Sequence, residues 1–173
     1  VGDYRYGVLG AIENDVSWSG SDTVGFPVEI ESSGRDFAVA RLTYENVGET
    51  RRSVGYMGTF VGGPLYDAVV HSIDGHYVGA TGRLKADAQL IRSDRAELHG
   101  YGAVFDVTYS QTNGLRHKLE IDYMDEDVNF NDLGFLLRNN YGRARYALMF
   151  SRNKLTEKLY NFRSTLSVIQ QYN

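Results

Sequence analysis

The side chains best suited to chemistry in this sequence are ionisable groups that recur at every second position of short segments. Lys118, Glu120 and Asp122 alternate with apolar residues, and so do Arg143 and Arg145 further along. Alternate residues of a β-strand lie on the same face of a sheet. Such segments predict a densely charged sheet face, whose mixed signs would form a network of ion pairs between strands. The functional alternative is a polar channel lining that selects solutes by charge.

The predicted network extends over most of the chain. Its members are predicted to lie on the face of the sheet opposite to the tyrosines and large aliphatic residues. They are Arg41, Asp74, His76, Arg83, Lys85, Asp87, Asp106, Lys118, Glu120, Asp122, Arg143 and Arg145. Four further residues are predicted to lie on the same face, from the alternation within their own strands: Arg5, Glu13, Glu45 and Arg116.

One pair in this set has the composition of an incomplete metal site. A short turn that pairs Val78 with Lys85 would place His76 opposite Asp87. Histidine and carboxylate are common zinc ligands. A third ligand is not evident in the sequence, so we predict a hydrogen-bonded pair of histidine and carboxylate and no metal site.

The acidic segment that begins at Asp125 is the weak candidate for a metal. Asp125, Asp127 and Asn129 offer the oxygen ligands that calcium prefers. An EF-hand loop that began at Asp125 would need Gly and Glu where Phe130 and Leu136 stand. We therefore favour a solvated turn, in which three apolar residues pack as a loop plug: Leu133, Phe135 and Leu136.

Nucleophilic catalysis has little support. The sequence contains no G-x-S-x-G motif. No Ser or Thr is placed beside a His and a carboxylate by the strand pairings that the pattern supports. The absence of cysteine excludes disulfides and thiolate metal sites. We predict a protein that is not an enzyme and that uses no cofactor.

A β-hairpin at Tyr101–Tyr123 positions the charged residues most clearly. Both arms alternate between apolar and polar residues on either side of an Asn-Gly loop. A three-residue loop that ends at Gly114 would pair Gln111 with Leu115. This register keeps apolar residues opposite apolar ones, with tyrosines near both ends of the apolar face.

The same alternation predicts about nine strands over residues 1–173, in a single segment without an internal domain boundary. The predicted connections after the first, third, fifth and seventh strands are long, among them Asp15–Gly34, Ser93–His99 and Asp125–Asn140. The connections after the second, fourth and sixth strands are short. This alternation is typical of antiparallel up-and-down transmembrane β-barrels. A soluble barrel or sandwich, with its apolar face against a second sheet, is the alternative.

The predicted strand number indicates an incomplete part of a larger barrel. Bacterial single-chain barrels have even strand numbers, and an open sheet edge cannot face hydrocarbon. The chain also starts at Val1 without an initiator Met, which predicts a processed or excised piece of a longer protein.

The composition agrees with a β-protein. The 19 glycines, 13 tyrosines and 2 prolines among 173 residues suit pleated sheet and its bends. No apolar run is long enough for a transmembrane helix. A formal net charge of −4 does not indicate the excess of basic residues that is typical of nucleic-acid-binding proteins.

Several stretches are similar to a known family, and they are Gly34–Phe37, Asp74–Tyr77, Gly114–His117 and Phe130–Tyr141. With them the chain resembles, from about Asp3 to Arg152, the C-terminal outer-membrane β-barrel region of a family of bacterial surface proteins. That family carries an N-terminal domain like family-9 carbohydrate-binding modules. The resemblance implies a Gram-negative outer-membrane location and a missing upstream domain, and it implies no catalytic residues.

We therefore expect a non-enzymatic, porin-like segment of the bacterial cell outer membrane. It would anchor a carbohydrate-binding domain, form a pore for solutes, or do both. Its expected partners are the lipid bilayer, the remainder of its own barrel or a partner chain, and a glycan or small solute, without nucleic acid. The alternative is a soluble antiparallel β-barrel or sandwich that acts as a binding module.

Overall fold

The protein consists of one large antiparallel sheet and one small hairpin. The computed structural model describes residues 2–134, 136, 138–154, 156–158 and 160–173. The strands are Gly2–Ile12 (β1), Val16–Ser21 (β2), Pro27–Ser32 (β3), Asp36–Val47 (β4), Arg51–Gly62 (β5), Ala68–Val78 (β6), Leu84–Arg95 (β7), Leu98–Ser110 (β8), Leu115–Met124 (β9), Tyr141–Lys154 (β10) and Tyr160–Tyr172 (β11). The main sheet has the order β1-β4-β5-β6-β7-β8-β9-β10-β11, and β2 pairs with β3.

The main sheet is an open meander. The predicted all-β, antiparallel architecture is confirmed, and this sheet has nine strands. Among the described residues, however, β1 pairs only with β4 and β11 pairs only with β10. The sheet therefore has two free edges and does not close into a barrel. The described residues include no helix of the length and apolarity needed to cross a membrane.

The hairpin β8–β9 has the predicted register. The amide of Gln111 donates to the carbonyl of Leu115 at 2.7 Å, and Tyr109 lies opposite His117. Gly114 has a φ of 88°, in the left-handed region that favours glycine. The three-residue loop therefore fixes which residues of both strands share a face.

Two expectations about the connections are wrong. The predicted loop Ser93–His99 is mostly strand, because β7 and β8 are joined by residues 96–97 alone. Ala96 makes this turn with a φ of 52°, a conformation that glycine usually signals in a sequence. The connection after β5, predicted to be long, spans residues 63–67 and is no longer than the one at 79–83. The regular alternation of long and short connections is therefore absent.

The predicted loop Asp15–Gly34 contains the hairpin β2–β3, which the sequence interpretation missed. Trp18 lies opposite Ile30 in this hairpin. In its turn, the carboxylate of Asp22 accepts hydrogen bonds of 2.9 Å from the amides of Val24 and Phe26. These bonds, first that from Phe26, lower the pKa of Asp22 below its ordinary value of 3.8.

The register divides the main sheet into two faces of opposite character. The apolar face carries exposed aromatic and aliphatic side chains on all nine strands: Tyr4, Tyr6, Val8, Leu42, Tyr56, Ile73, Leu90, Phe105, Ile121, Tyr146 and Val168. The other face, here called the charged face, carries most of the ionisable residues together with most of the few buried apolar ones, such as Ile91 and Met124. The protein therefore buries apolar surface on its charged face and exposes it on the opposite face.

Candidate functional site

Ion pairs connect neighbouring strands over most of the charged face. At one side, Glu45 on β4 accepts from Arg5 on β1 at 2.9 Å and from Arg51 on β5 at 2.5 Å, each arginine using a different carboxylate oxygen. Glu45 is only 7 % exposed, and burial of a carboxylate is tolerated when both oxygens have charged partners. The sequence interpretation included Arg5 and Glu45 but missed Arg51, which is the first residue of its strand.

The pair of Arg41 and Asp74 spans three strands. Arg41 lies on β4 and Asp74 on β6, and their side chains meet over β5 through hydrogen bonds of 2.5 and 2.9 Å. Gly55 on β5 makes this possible, since a Cβ there would lie 2.5 Å from Nη2 of Arg41 and 2.9 Å from Oδ1 of Asp74. A glycine in a strand interior often marks such a close approach.

His76 and Asp87 form the pair expected from the strand register. Val78 lies opposite Lys85, and Nδ1 of His76 lies 2.5 Å from Oδ1 of Asp87. No group of three or more potential metal ligands occurs among the described residues. The arrangement is that of a hydrogen-bonded pair between adjacent strands.

A second cluster connects β8, β9 and β10. Nζ of Lys118 lies 3.0 Å from Asp106 and 2.8 Å from Glu120. Glu120 also faces Arg145 at 3.3 Å. Lys118 thus neutralises two carboxylates that lie opposite each other on β8 and β9, where like charges would otherwise repel.

The remaining members of the predicted network differ in their contacts. Nε of Arg143 donates to Asp122 at 2.7 Å. Arg83 and Lys85 are exposed and form no ion pair with any residue that the structure describes. The structure thus brings ten of the twelve predicted residues into pairs or clusters and leaves these two cations free at the start of β7.

The connection 125–140, which follows β9, covers the charged face at the end of the sheet where β7 and β9 end. Val128, which has 0 % exposure, packs with Ile91 and Met124. The amide of Asn129 donates to Oγ of Ser93 at 2.9 Å. A Cβ at Gly100 would overlap the backbone of Val128, so this strand position must be glycine for the segment to lie where it does.

Asp125 holds the segment through backbone contacts. One carboxylate oxygen accepts from the amide of Val128 and the other from the amide of Tyr101, both at 2.7 Å. The side-chain oxygen of Asn129 accepts from Asn131. The oxygens considered as weak candidates for calcium therefore serve as turn caps, while Asp127 is exposed.

A second anchor of the segment is Asp132. It accepts a hydrogen bond of 2.9 Å from the hydroxyl of Tyr66, and it lies 3.6 Å from Arg95 and 3.9 Å from Arg35. The guanidinium of Arg95 stacks over the ring of Tyr66 at 4.1 Å. The segment is thus tied to β7 and to the connection 63–67.

The predicted loop plug is only partly present. Leu136 packs against the buried cluster, whereas Leu133 is 41 % exposed. Phe135 lies outside the described residues. The contacts that the sequence interpretation missed come from Val128 and Phe130, and the spacing of these two apolar residues within a polar segment is the one signal for them in the sequence.

Three histidines lie on the apolar face near its two ends. His71 lies 2.7 Å from the hydroxyl of Tyr56, and His117 lies 2.7 Å from that of Tyr146. His99, expected in a loop, is instead in β8, with Nδ1 at 2.6 Å from Asp94. His71 and His99 are thus each paired through Nδ1, whereas His117 is paired through both ring nitrogens, since its Nε2 lies 3.1 Å from Nε2 of Gln111.

These features define a class of protein, an antiparallel meander with one apolar and one ion-paired face. Residues 58–173 match the family described as Domain of unknown function (DUF5916). Because the match covers more than half of the chain, the chain belongs to this family. No curated protein and no solved structure gives a significant match. The resemblance to a barrel associated with a carbohydrate-binding domain stays a prediction, since the family description names neither.

Proposed function

We propose that this chain is a non-enzymatic segment of a β-barrel in the outer membrane of a Gram-negative bacterium. The tyrosine-rich apolar face contacts lipid, and the charged face lines the interior. The observation that carries the proposal is the exposure of the apolar face, on which Tyr6 is 85 % and Leu90 63 % exposed. An apolar face of this size requires an apolar covering, because its exposure to water is unfavourable in free energy.

The separation of charges supports lipid as this covering. The ion pairs of Glu45, Asp74, Lys118 and Glu120 all lie on the other face. On the apolar face, Asp94 pairs with Arg92 and His99 at one end, where a membrane interface would lie. Charged side chains are costly on the lipid side of a transmembrane barrel and are tolerated in its interior. Histidines and tyrosines at the two ends of the apolar face suit the membrane interfaces, where amphipathic rings are favoured.

The free edges of β1 and β11 support a barrel that other strands complete. An unpaired strand edge within hydrocarbon would leave its amides and carbonyls without hydrogen bonds. The remainder of the same barrel or a partner chain is the partner that satisfies both edges. The complete barrel therefore contains strands beyond this sheet.

The segment at 125–134 favours an anchor over an open pore. It packs over the charged face through Val128 and Asp132, and a loop in this place narrows the interior. The barrel would then hold a carbohydrate-binding domain at the membrane, and passage of small solutes would depend on the space beside the segment.

Site-specific lipid quenching tests the proposal. These 173 residues contain no cysteine. With any cysteine elsewhere in the full-length protein replaced by serine, Leu90→Cys on the apolar face and Gln89→Cys on the charged face each carry a single fluorophore. In vesicles with brominated lipid, we expect strong quenching at position 90 and little at position 89. If the protein stays soluble without detergent and neither label is quenched, the alternative of a soluble binding module replaces the proposal.

A further inference from the structure

The two ends of the main sheet differ in charge. The connections at 13–35, 63–67, 96–97 and 125–140 all lie at one end, here called the acidic end, and they contain eleven acidic and two basic residues. The other connections lie at the opposite end, here called the turn end. Several residues at this end are exposed and basic: Arg51, Arg52, Arg83, Lys85, Arg116, Arg152 and Lys154.

Three of these basic residues lie on the apolar face, and we call them the basic rim: Arg52, Arg152 and Lys154. In the strand register each has an aromatic neighbour, because Arg52 lies opposite Tyr77, Arg152 opposite Phe162 and Lys154 opposite Tyr160. All three cations are exposed. None forms an ion pair with a residue that the structure describes.

The acidic end of the same face has no comparable free cation among the described residues. Arg92 lies there, but its guanidinium donates to Asp94 at 2.9 Å. Asp94 also binds His99. Arg92 is thus neutralised within the sheet, whereas the charges of the basic rim remain available to an external group.

We propose that the basic rim binds the phosphate groups of anionic lipid headgroups in the leaflet at the turn end. The inference rests on the proposed function, since it requires the apolar face to contact lipid. Long cationic side chains lay their apolar stems along a lipid-facing surface and extend their charge to the interface, where anionic headgroups attract them. Tyr77 and Tyr160, the neighbours of Arg52 and Lys154, occupy the same depth, because tyrosine favours the membrane interface.

The arrangement also assigns an orientation to the sheet. An anionic leaflet attracts the turn end and repels the acidic end. Arg52 on β5 and Arg152 on β10 are five strands apart, which is about 24 Å along the sheet, so they contact different lipid molecules. The rim therefore acts along the perimeter of the protein and not as a single headgroup pocket.

Electron paramagnetic resonance of spin-labelled lipids tests the inference. The full-length protein is reconstituted in phosphatidylcholine vesicles that contain labelled phosphatidylglycerol or labelled phosphatidylcholine. The motion-restricted fraction measures the relative association of each lipid with the protein surface. We compare the natural protein with the triple variant Arg52→Gln, Arg152→Gln, Lys154→Gln. The matched control is Arg83→Gln, Lys85→Gln, Arg116→Gln, which removes the same charge from the charged face at the same end.

We expect the natural protein to prefer phosphatidylglycerol by about fivefold, the effect of one well-placed cation at a membrane surface. The rim variant should fall to about equal association, and the control should keep most of the preference. Equal association of both lipids with the inserted natural protein, or equal loss in both variants, overturns the inference and leaves the proposed function intact. Absence of any motion-restricted lipid overturns both.

Discussion

The guanidinium of Arg41 crosses strand β5 to bind the carboxylate of Asp74 on β6 through two hydrogen bonds of 2.5 and 2.9 Å. A pair that joins non-adjacent strands fixes the curvature of the sheet as well as its register, since both side chains must lie over the strand between them. The absence of a side chain at Gly55 is the condition for this contact.

Replacement of Gly55 by alanine should disrupt the contact. The new Cβ would lie 2.5 Å from Nη2 of Arg41, so the guanidinium must move. We expect a loss of about 1–3 kcal/mol in the free energy of unfolding, as for other overpacked positions. Denaturant titration of the protein in detergent, followed by gel migration of unboiled samples, measures the change.

The control is Gly75→Ala on the apolar face of β6. A Cβ at Gly75 has no neighbour closer than the carbonyl of Ser53 at 3.9 Å. This variant should be as stable as the natural protein or slightly more stable. Equal destabilisation by both substitutions would contradict the role assigned to Gly55.

Replacement of Gly100 by alanine should release the segment that covers the charged face. Its Cβ would overlap the backbone of Val128, which cannot move without leaving its buried site beside Ile91 and Met124. Limited trypsin digestion measures the release, because Arg138 lies in the same connection and is exposed. We expect faster cleavage after Arg138, while Gly7→Ala, where no atom lies within 4 Å, should leave the rate unchanged.

Replacement of Asp125 by alanine should loosen the start of the same segment. Two backbone amides, those of Val128 and Tyr101, lose a charged acceptor at 2.7 Å. Hydrogen bonds to charged groups contribute about 1.5–3 kcal/mol to stability. We expect the free energy of unfolding, measured by thermal denaturation, to fall by an amount of this order. Asp127→Ala removes an exposed carboxylate from the same turn and should be neutral. If Asp127→Ala were the more damaging change, the assigned role of Asp125 would be wrong.

Calcium should not stabilise this segment. Both carboxylate oxygens of Asp125 accept backbone hydrogen bonds, and a calcium site needs several free oxygens around one point. We expect the same melting temperature in millimolar calcium and in excess chelator. If calcium raised the melting temperature and Asp125→Ala abolished this increase, the segment would be a metal site after all.

Acid should weaken the turn of hairpin β2–β3. The pKa of Asp22 is lowered in the folded protein by hydrogen bonds from Phe26 and Val24. Its stabilising effect is therefore complete above the ordinary value of 3.8 and is lost as the pH falls through the lower pKa of the folded state. Trp18, the single tryptophan of the sequence, lies in β2 and reports the change by fluorescence. Asp22→Asn should remove most of this pH dependence, and an unchanged titration in that variant would refute the assignment.

Local signals account for the parts of the fold that the sequence predicts well. The Asn-Gly loop before Leu115 determines the register of β8 and β9, because a left-handed glycine allows few hairpin geometries. The period-2 pattern then places His76 opposite Asp87 and gathers the charged residues on one face.

The missed features depend on contacts between distant parts of the chain or on unusual local conformations. Ala96 has a positive φ although it is not a glycine. The sequence therefore carries no signal for the tight turn between β7 and β8, and a longer loop was predicted there. The packing of Val128 against Ile91 has no periodicity in the sequence. Arg51 reaches Glu45 across a hairpin end, where strand bounds inferred from alternation are least accurate.

The neighbour-to-neighbour order of the main sheet has a consequence for folding kinetics. Every strand from β4 to β10 pairs with the strand that follows it in the chain, so each new pairing closes only the connection between them. Closure of such short connections has a low entropic barrier, and even the longer closure of β9 on β10 adds little because the cost rises only with the logarithm of length. The sheet can therefore nucleate at the β8–β9 hairpin and grow outward in both directions, one strand at a time, with low contact order.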